Sequence, residues 1–214
     1  MTTPDKPWQD VSYPITEEMV TWPGQPSVRL ESLSRIDDQS SNVSALYLSL
    51  HTGTHMDAPL HFLADASDIT AAPYETMFGP VRVAEITGRA VDRESIVSYE
   101  ARSAPLGAGE RIFFRTENSG SNWLTQPFDE SYVAVAPDAA AYLAEKQLIT
   151  VGVDYLSVAP FTNTADTHRT LLGAGVWIIE GLNLRVITEG RYEMVALPLK
   201  ITGGDASPVR VLLR

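Results

Sequence analysis

The stretch YVAVAPDAAAYLAEKQLITVGV, residues 132–153, decides how this chain is read. Tyr132–Ala136 is a short apolar run of strand length. Pro137 and Asp138 then open the Ala-rich segment Ala139–Gln147, standing where a helix start favours both residue types. Ile149–Val153 returns to β-branched residues. Strand, helix and strand in this order predict a parallel βαβ unit and a mixed sheet with helices packed on it.

Working outward, short β-type runs dominate. Val43–Leu50 alternates from Ala45 onward and leads straight into His51. Val81–Ile86, Arg111–Arg115 and Val176–Glu180 also read as strands. Met194–Ile201 and Val209–Leu213 form a last pair around the Gly203-Gly204-Asp205 turn. Glu94–Ala101 is a second, shorter helix. No repeat, low-complexity tract or dividing linker interrupts the 214 residues. One domain over residues 1–214 is therefore expected.

Composition narrows the function classes. Hydrophobic residues make up 44% and charged residues 20%, an ordinary globular balance. The net charge of −11 argues against a nucleic-acid partner, because phosphate binding needs concentrated Lys and Arg. The absence of cysteine excludes a disulfide framework, a thiolate zinc site and a Cys nucleophile, and fits a reducing compartment. The opening MTTPDKPWQD lacks the apolar run of a signal peptide, and no apolar stretch reaches membrane-spanning length. These features predict a cytoplasmic protein without a membrane partner.

The histidines carry the chemistry. Three of the four, His51, His55 and His61, fall with Asp57 inside HTGTHMDAPLH, residues 51–61. The fourth, His168, precedes Glu180. Imidazole and carboxylate are the ligands that zinc or manganese accepts when thiolates are absent. Positions 51, 55, 57 and 61 are all separated by even numbers of residues, and in extended chain such residues point to one side. A helix over this stretch is disfavoured by Thr52, Gly53, Thr54 and Pro59. Gly53 permits a bend and Pro59 holds Ala58 extended. Taken singly, each residue has a plainer reading. A loop imidazole is commonly a surface group, and Asp57 before Ala-Pro suits a turn. Glu180 could be a strand-end carboxylate facing solvent, and Thr167-His168 a helix start with an exposed ring. Together they predict a hydrolytic metal site. Ser207 has no G-x-S-x-G elbow around it, and Leu172–Gly175 lacks the Lys-Ser/Thr ending of a phosphate loop.

The stretch 51–61 resembles the H-x-G-T-H-x-D-x-P-x-H signature of the metal-dependent cyclase family, which includes bacterial kynurenine formamidases, isatin hydrolases and some polyketide cyclases. WQDVSYPI, TWPG, HFLADA, ETMFGPVRV, VGVD and ALPLKITGGDASPVR resemble further family segments. The chain departs from formamidases at Asp154-Tyr155-Leu156-Ser157, where D-T-P-S is often found. The resemblance implies a β-rich α/β fold of swivelling β/β/α type, a mixed sheet with few helices, and a homodimer or homotetramer. It implies one metal held by His51, His55 and Asp57, and a second between Asp57, His168 and Glu180. Two Zn2+ per subunit are expected, with Mn2+ as the alternative. His61 is left free for proton transfer. Trp22 would stand near the pocket mouth, of its own or a neighbouring subunit, or else pin a loop by packing. Phe62 is either a pocket wall or core.

The expected activity is metal-dependent hydrolysis of a small-molecule amide, with N-formyl-L-kynurenine converted to L-kynurenine and formate. The alternatives are opening of a cyclic amide such as isatin, action on another small carbonyl compound, and a metal-binding scaffold without catalysis.

Overall fold

The computed structural model describes residues 7–214; residues 1–6, part of the N-terminal stretch without a signal-peptide pattern, lie outside the described residues. Among the described residues, ten strands carry the architecture: β1 (Gln9–Asp10), β2 (Arg29–Ser34), β3 (Val43–Tyr47), β4 (His55–Asp57), β5 (Phe78–Glu85), β6 (Arg111–Arg115), β7 (Thr150–Val153), β8 (Trp177–Glu180), β9 (Gly190–Pro198) and β10 (Ala206–Leu213). The α-helices are α1 (Tyr74–Met77), α2 (Arg93–Arg102), α3 (Pro137–Glu145) and α4 (Thr164–Gly173).

Strands β5, β6, β7 and β8 lie side by side and parallel, with α2, α3 and α4 as the successive crossovers. Both faces of these strands are covered, which is why they read as continuous apolar runs. Ile112, Phe114, Val151, Val153 and Ile178 pack under the helices against Ile96, Leu143 and Leu171. Val81, Val83, Phe113, Trp177 and Ile179 face the other way, with Met56, Met194 and Val211. Gly152 carries no side chain because Phe113 fills its place: a Cβ there would lie 2.3 Å from the Phe113 ring.

Antiparallel strands close the sheet on itself. β4 pairs with β8, β10 with β4, β9 with β10, and β5 with β9, so seven strands form a barrel around the second core. Val209 N–H donates to Thr54 O and Val211 O accepts from Val11 N–H, so β4 and β1 share one edge of β10. The result is a mixed sheet with few helices, as the chain's patterning predicts.

Three details differ from the sequence reading. Tyr132–Ala136 is not a strand. Val133 N–H donates to the Asn118 side chain and Val135 N–H to Val158 O, so loops use this backbone; a lone parallel bridge joins Val135 to Val91. The parallel unit around α3 starts from β6 instead. β3 ends at Tyr47, and its alternation does not mark burial, because it pairs with β2 in a two-stranded ribbon exposed along its length. The helix α4 begins before the Thr167-His168 start that the sequence suggests, because the side chain of Asn163 caps it by accepting from Asp166 N–H. Among the described residues, no helix is long and apolar enough to cross a membrane.

Candidate metal centre

Strand register builds this site. In the β4–β8 pair, His55 stands opposite Glu180, Met56 opposite Ile179 and Asp57 opposite Ile178. Side chains alternate along a strand, so Met56 and Ile179 enter the barrel core while His55, Asp57 and Glu180 turn to the helix side. The second turn of α4 lays His168 over that face, buried rather than exposed. The even spacing of the motif therefore explains His55 and Asp57 only. His51 arrives through a bend at Gly53, whose φ is +64°. His61 arrives through a 3-10 turn, Pro59–His61, that follows an extended Ala58 (φ −94°, ψ 158°). Gly181, directly after Glu180, sits at φ +68° against the Gly53 backbone, where a Cβ would come within 2.2 Å of Gly53 O.

The carboxylate of Asp57 divides its oxygens between two sets of donors. Oδ1 lies 3.0 Å from His51 Nδ1 and 3.5 Å from His55 Nε2, and Oδ2 lies 3.6 Å from His168 Nε2. Glu180 places Oε1 3.1 Å from His168 Nε2 and Oε2 3.1 Å from His55 Nε2, and its Oε1 also accepts from Val158 N–H. The far sides of two rings are committed: His55 Nδ1 donates to Gly53 O at 2.9 Å and His168 Nδ1 to Thr164 O at 2.6 Å. Both rings thus aim an Nε2 lone pair at carboxylates. Asp57 Oδ1, Asp57 Oδ2 and His55 Nε2 are buried without a hydrogen-bond partner. Burying a carboxylate unpaired costs several kcal/mol, so the arrangement calls for positive charge in its midst.

A divalent cation meets that need. Ligand atoms bonded to one ion at about 2.0–2.2 Å stand roughly 3.2–3.6 Å from each other, close to the separations seen here. His51, His55 and Asp57 could hold one ion, and Asp57, His168 and Glu180 another. His61 is near enough to join in, since its donor atom, with those of His51 and Asp57, falls within 4.8 Å; the same holds for His55, Asp57 and Glu180. Rings with their outer nitrogen bound to a carbonyl are the usual support of metal-ligating histidine.

The charges packed into this site shift one another's titration. Burial works against a charged His51, but the carboxylates of Asp205 and Asp57 beside it outweigh this and raise the ring to about 10. His168 is likewise raised, burial being outweighed by Glu180. Burial pushes Asp57 up, and His51 with the neighbouring imidazoles brings it below the ordinary carboxylate range. Glu180 is held low by His168 and His55 against burial and the Asp57 charge.

Above these residues lies a cavity of about 110 Å³, lined by His51, His61, Phe62, His168, Glu180 and Trp22 among others. Phe62 stacks on His168, centroids 4.3 Å apart at 17°, while also packing against the helix-side core. Trp22 has both roles considered for it: it lines the cavity and packs edge-on against Phe128 at 5.1 Å. Its turn is closed by Gln25 N–H donating to Trp22 O, with Gly24 at the positive φ (+86°) that a type II turn requires. Leu156 and Ser157 of the divergent D-Y-L-S segment line the cavity as well, whereas Tyr155 stacks on Tyr132 beside it.

Two carboxylates have roles that the sequence does not announce. Asp205, a turn residue by its sequence context, places Oδ2 3.0 Å from His51 Nε2 and 3.6 Å from His61 Nδ1. The pairing of Ala206 with Asp57 and the bond from Ala58 N–H to Asp205 O bring it there, and no local pattern signals that. Asp154 is fully buried and accepts from Thr116 N–H, Thr116 Oγ1, Ser119 Oγ, Ser119 N–H and Asn118 Nδ2. It ties β7's exit, and hence Leu156 and Ser157, to the loop after β6. Ser207 Oγ accepts from Leu199 N–H and donates to Pro208 O, a structural arrangement.

Comparison with known proteins agrees with this picture. The chain is 38% identical to a kynurenine formamidase of Salinibacter ruber over 96% of each chain. A solved structure described as "Potential Metal-Dependent Hydrolase With Cyclase Activity" superposes with a TM-score of 0.83 at 36% identity, covering 97% of this chain and 96% of the other. Isatin hydrolase A from Labrenzia aggregata shares the fold, with a TM-score of 0.85 at 22% identity over 97% and 93%. A family model described as "Putative cyclase" matches residues 9–160, and the chain belongs to that cyclase family.

Proposed function

We propose that this chain is a metal-dependent amide hydrolase that cleaves an aryl formamide, converting N-formyl-L-kynurenine to L-kynurenine and formate. One observation carries the reading. A buried carboxylate, Asp57, has neither oxygen hydrogen-bonded, and it lies among imidazoles under a cavity walled by Trp22 and Phe62. The kynurenine formamidase of Salinibacter ruber, similar over nearly the whole chain, supports the substrate. Eight strands, from β1 at Gln9 to β10 ending at Leu213, share one sheet, which supports a single domain.

His51, His55 and Asp57 would hold one cation, and Asp57, His168 and Glu180 a second. Zn2+ suits this nitrogen-rich set, with Mn2+ as the alternative. When bound, such a cation makes water nucleophilic near neutral pH and polarises a carbonyl oxygen. The protein's residues do the rest. Phe62, Trp22 and Leu156 offer apolar walls to an aryl group. His61, exposed to the cavity, takes the proton given up by the attacking water and delivers it to the leaving nitrogen. The C–N bond breaks, the aryl amine leaves neutral with the proton from His61, and the formyl carbon leaves as formate, the second proton of the water passing to solvent.

The exposed apolar residues Leu30, Leu33, Val43 and Leu46 of the β2–β3 ribbon support assembly as a homodimer or homotetramer. The missing cysteines support a cytoplasmic setting.

The test is turnover by Zn2+-reconstituted protein of N-formyl-L-kynurenine and isatin side by side, with a chelator control. Formamide cleavage far above isatin opening, abolished by chelation, is the expected result. Isatin opening alone would transfer the assignment to cyclic amides, and chelator-resistant turnover would end the metal reading. His61→Ala should keep its metal and lose about 10²–10⁴-fold in kcat.

A further inference from the structure

Asp205 lies outside the eleven-residue motif, yet it touches two of the motif's histidines. Its Oδ2 is 3.0 Å from His51 Nε2 and 3.6 Å from His61 Nδ1, and the two rings lie tilted at 34° with centroids 4.0 Å apart. His51 points its other nitrogen, Nδ1, at Asp57 Oδ1, 3.0 Å away. One side of the His51 ring is therefore turned inward and the other is held by Asp205. The backbone around Asp205 is anchored independently. Asp205 O accepts from Ala58 N–H, Gly204 O accepts from Ile69 N–H, and Gly203 N–H donates to Asp68 Oδ2. The β10–β4 pairing then continues directly from Ala206 opposite Asp57. The turn is thus clamped to the segment that carries the histidines.

We propose that Asp205 is a positioning residue that orients His51 and His61 together, so that His51 offers Nδ1 inward while His61 is held at the cavity for proton transfer. A carboxylate accepting from the outer nitrogen of His51 fixes which nitrogen faces a cation, the arrangement by which ligating imidazoles are ordinarily supported. The same oxygen lies at ion-pair distance from His61 and draws its Nδ1 inward, leaving Nε2 for exchange with the cavity. Because one oxygen serves both rings, a cation gripped through His51 and a proton carried by His61 are coupled through a single side chain. This inference rests on the hydrolase reading above.

The experiment uses Asp205→Asn, an isosteric change, in the full chain, with Asp205→Ser carrying the same measurements should the amide variant not fold. Zn2+ affinity is measured by equilibrium dialysis, and kcat and KM with N-formyl-L-kynurenine. Affinity is expected to fall about tenfold and kcat about 100-fold, with KM changed less than about threefold. Combining the change with His61→Ala separates positioning from general damage. If Asp205 acts on turnover through His61, it costs little more in a background already lacking that ring. Wild-type affinity and kcat in the variant would overturn the proposal, as would full additivity with His61→Ala. Wild-type protein that takes up no Zn2+, or turns over equally well without it, would instead overturn the hydrolase reading itself.

Discussion

Gly181→Ala probes the contact that brings the two halves of the candidate centre together. Gly181 follows Glu180 and sits at φ +68°, so any Cβ meets a left-handed backbone cost of about 1–2 kcal/mol. The added carbon would also stand 2.2 Å from Gly53 O, 2.8 Å from Gly53 C and 3.2 Å from Thr54 Cα. These are backbone atoms of the loop between His51 and His55, held by the Thr54 hydroxyl, which donates to Gly181 O at 2.6 Å and accepts from Tyr13 N–H. They cannot swing aside as a side chain would. Overpacking of this kind costs about 1–3 kcal/mol, and the two effects give a loss of about 2–5 kcal/mol. For a chain of this length that lowers Tm by about 4–20 °C. Gly175→Ala is the matched control: its φ is +80°, but a Cβ there would have nothing within 4 Å. It should show the backbone cost alone. The assay is thermal unfolding of cation-free protein by circular dichroism, followed by Zn2+ titration of each variant. The Gly181 variant should melt below the Gly175 variant and bind Zn2+ more weakly. Equal melting of the two would refute the argument that close backbone approach demands glycine here.

Three further outcomes follow from the same geometry. Gly152→Ala should cost about 1–3 kcal/mol, since its Cβ would lie 2.3 Å from Phe113 and 2.7 Å from Leu182, and Phe113→Leu should restore part of the loss in denaturant titrations. Asp154→Ala strips the acceptor from five donors, so a loss of at least about 3 kcal/mol is expected; a melting curve matching wild type would show those donors satisfied elsewhere. With His51 raised to about 10, its ring is charged at neutral pH in cation-free protein, and an ion must displace that proton. Calorimetry of Zn2+ binding in buffers of different ionisation enthalpy should therefore register proton release near pH 7, and affinity should rise with pH until the ring is neutral. Stability responds in the opposite sense: the charged His51 stabilises cation-free protein fully below its ordinary value of 6.5, and this contribution fades as pH climbs through about 10.

Much of this molecule is legible in its residues. β5 to β8 announce themselves because helices cover one face and the barrel interior the other, leaving unbroken apolar runs such as the Ile112–Phe114 centre of β6. The ligand-type residues of HTGTHMDAPLH, with His168 and Glu180, also meet in space as a group. What is not legible depends on distant pairing. β4 is three residues long, too short for periodicity to register, and exists because β8 and β10 flank it. β2 is exposed on both faces and presents the mixed pattern RLESLS, without a core to impose alternation. In α4, His168 shares the buried face with Leu171, Leu172 and Thr167, and two of those four are polar, which blurs the apolar stripe. Asp205 has no local mark at all.

The closing strand of the barrel sets an order on how the protein comes into being. Asp57 waits for Ala206 as its neighbour, and β10 reaches back to Gln9 and Asp10 as well. A ribosome releases HTGTHMD long before it makes β10, so the nascent chain carries its imidazoles unsheltered for most of synthesis. Contacts this remote in sequence form slowly. Capture of an ion by the finished cage would thus come late in maturation, and a fragment lacking the last strand would lose the barrel seam beside Asp57.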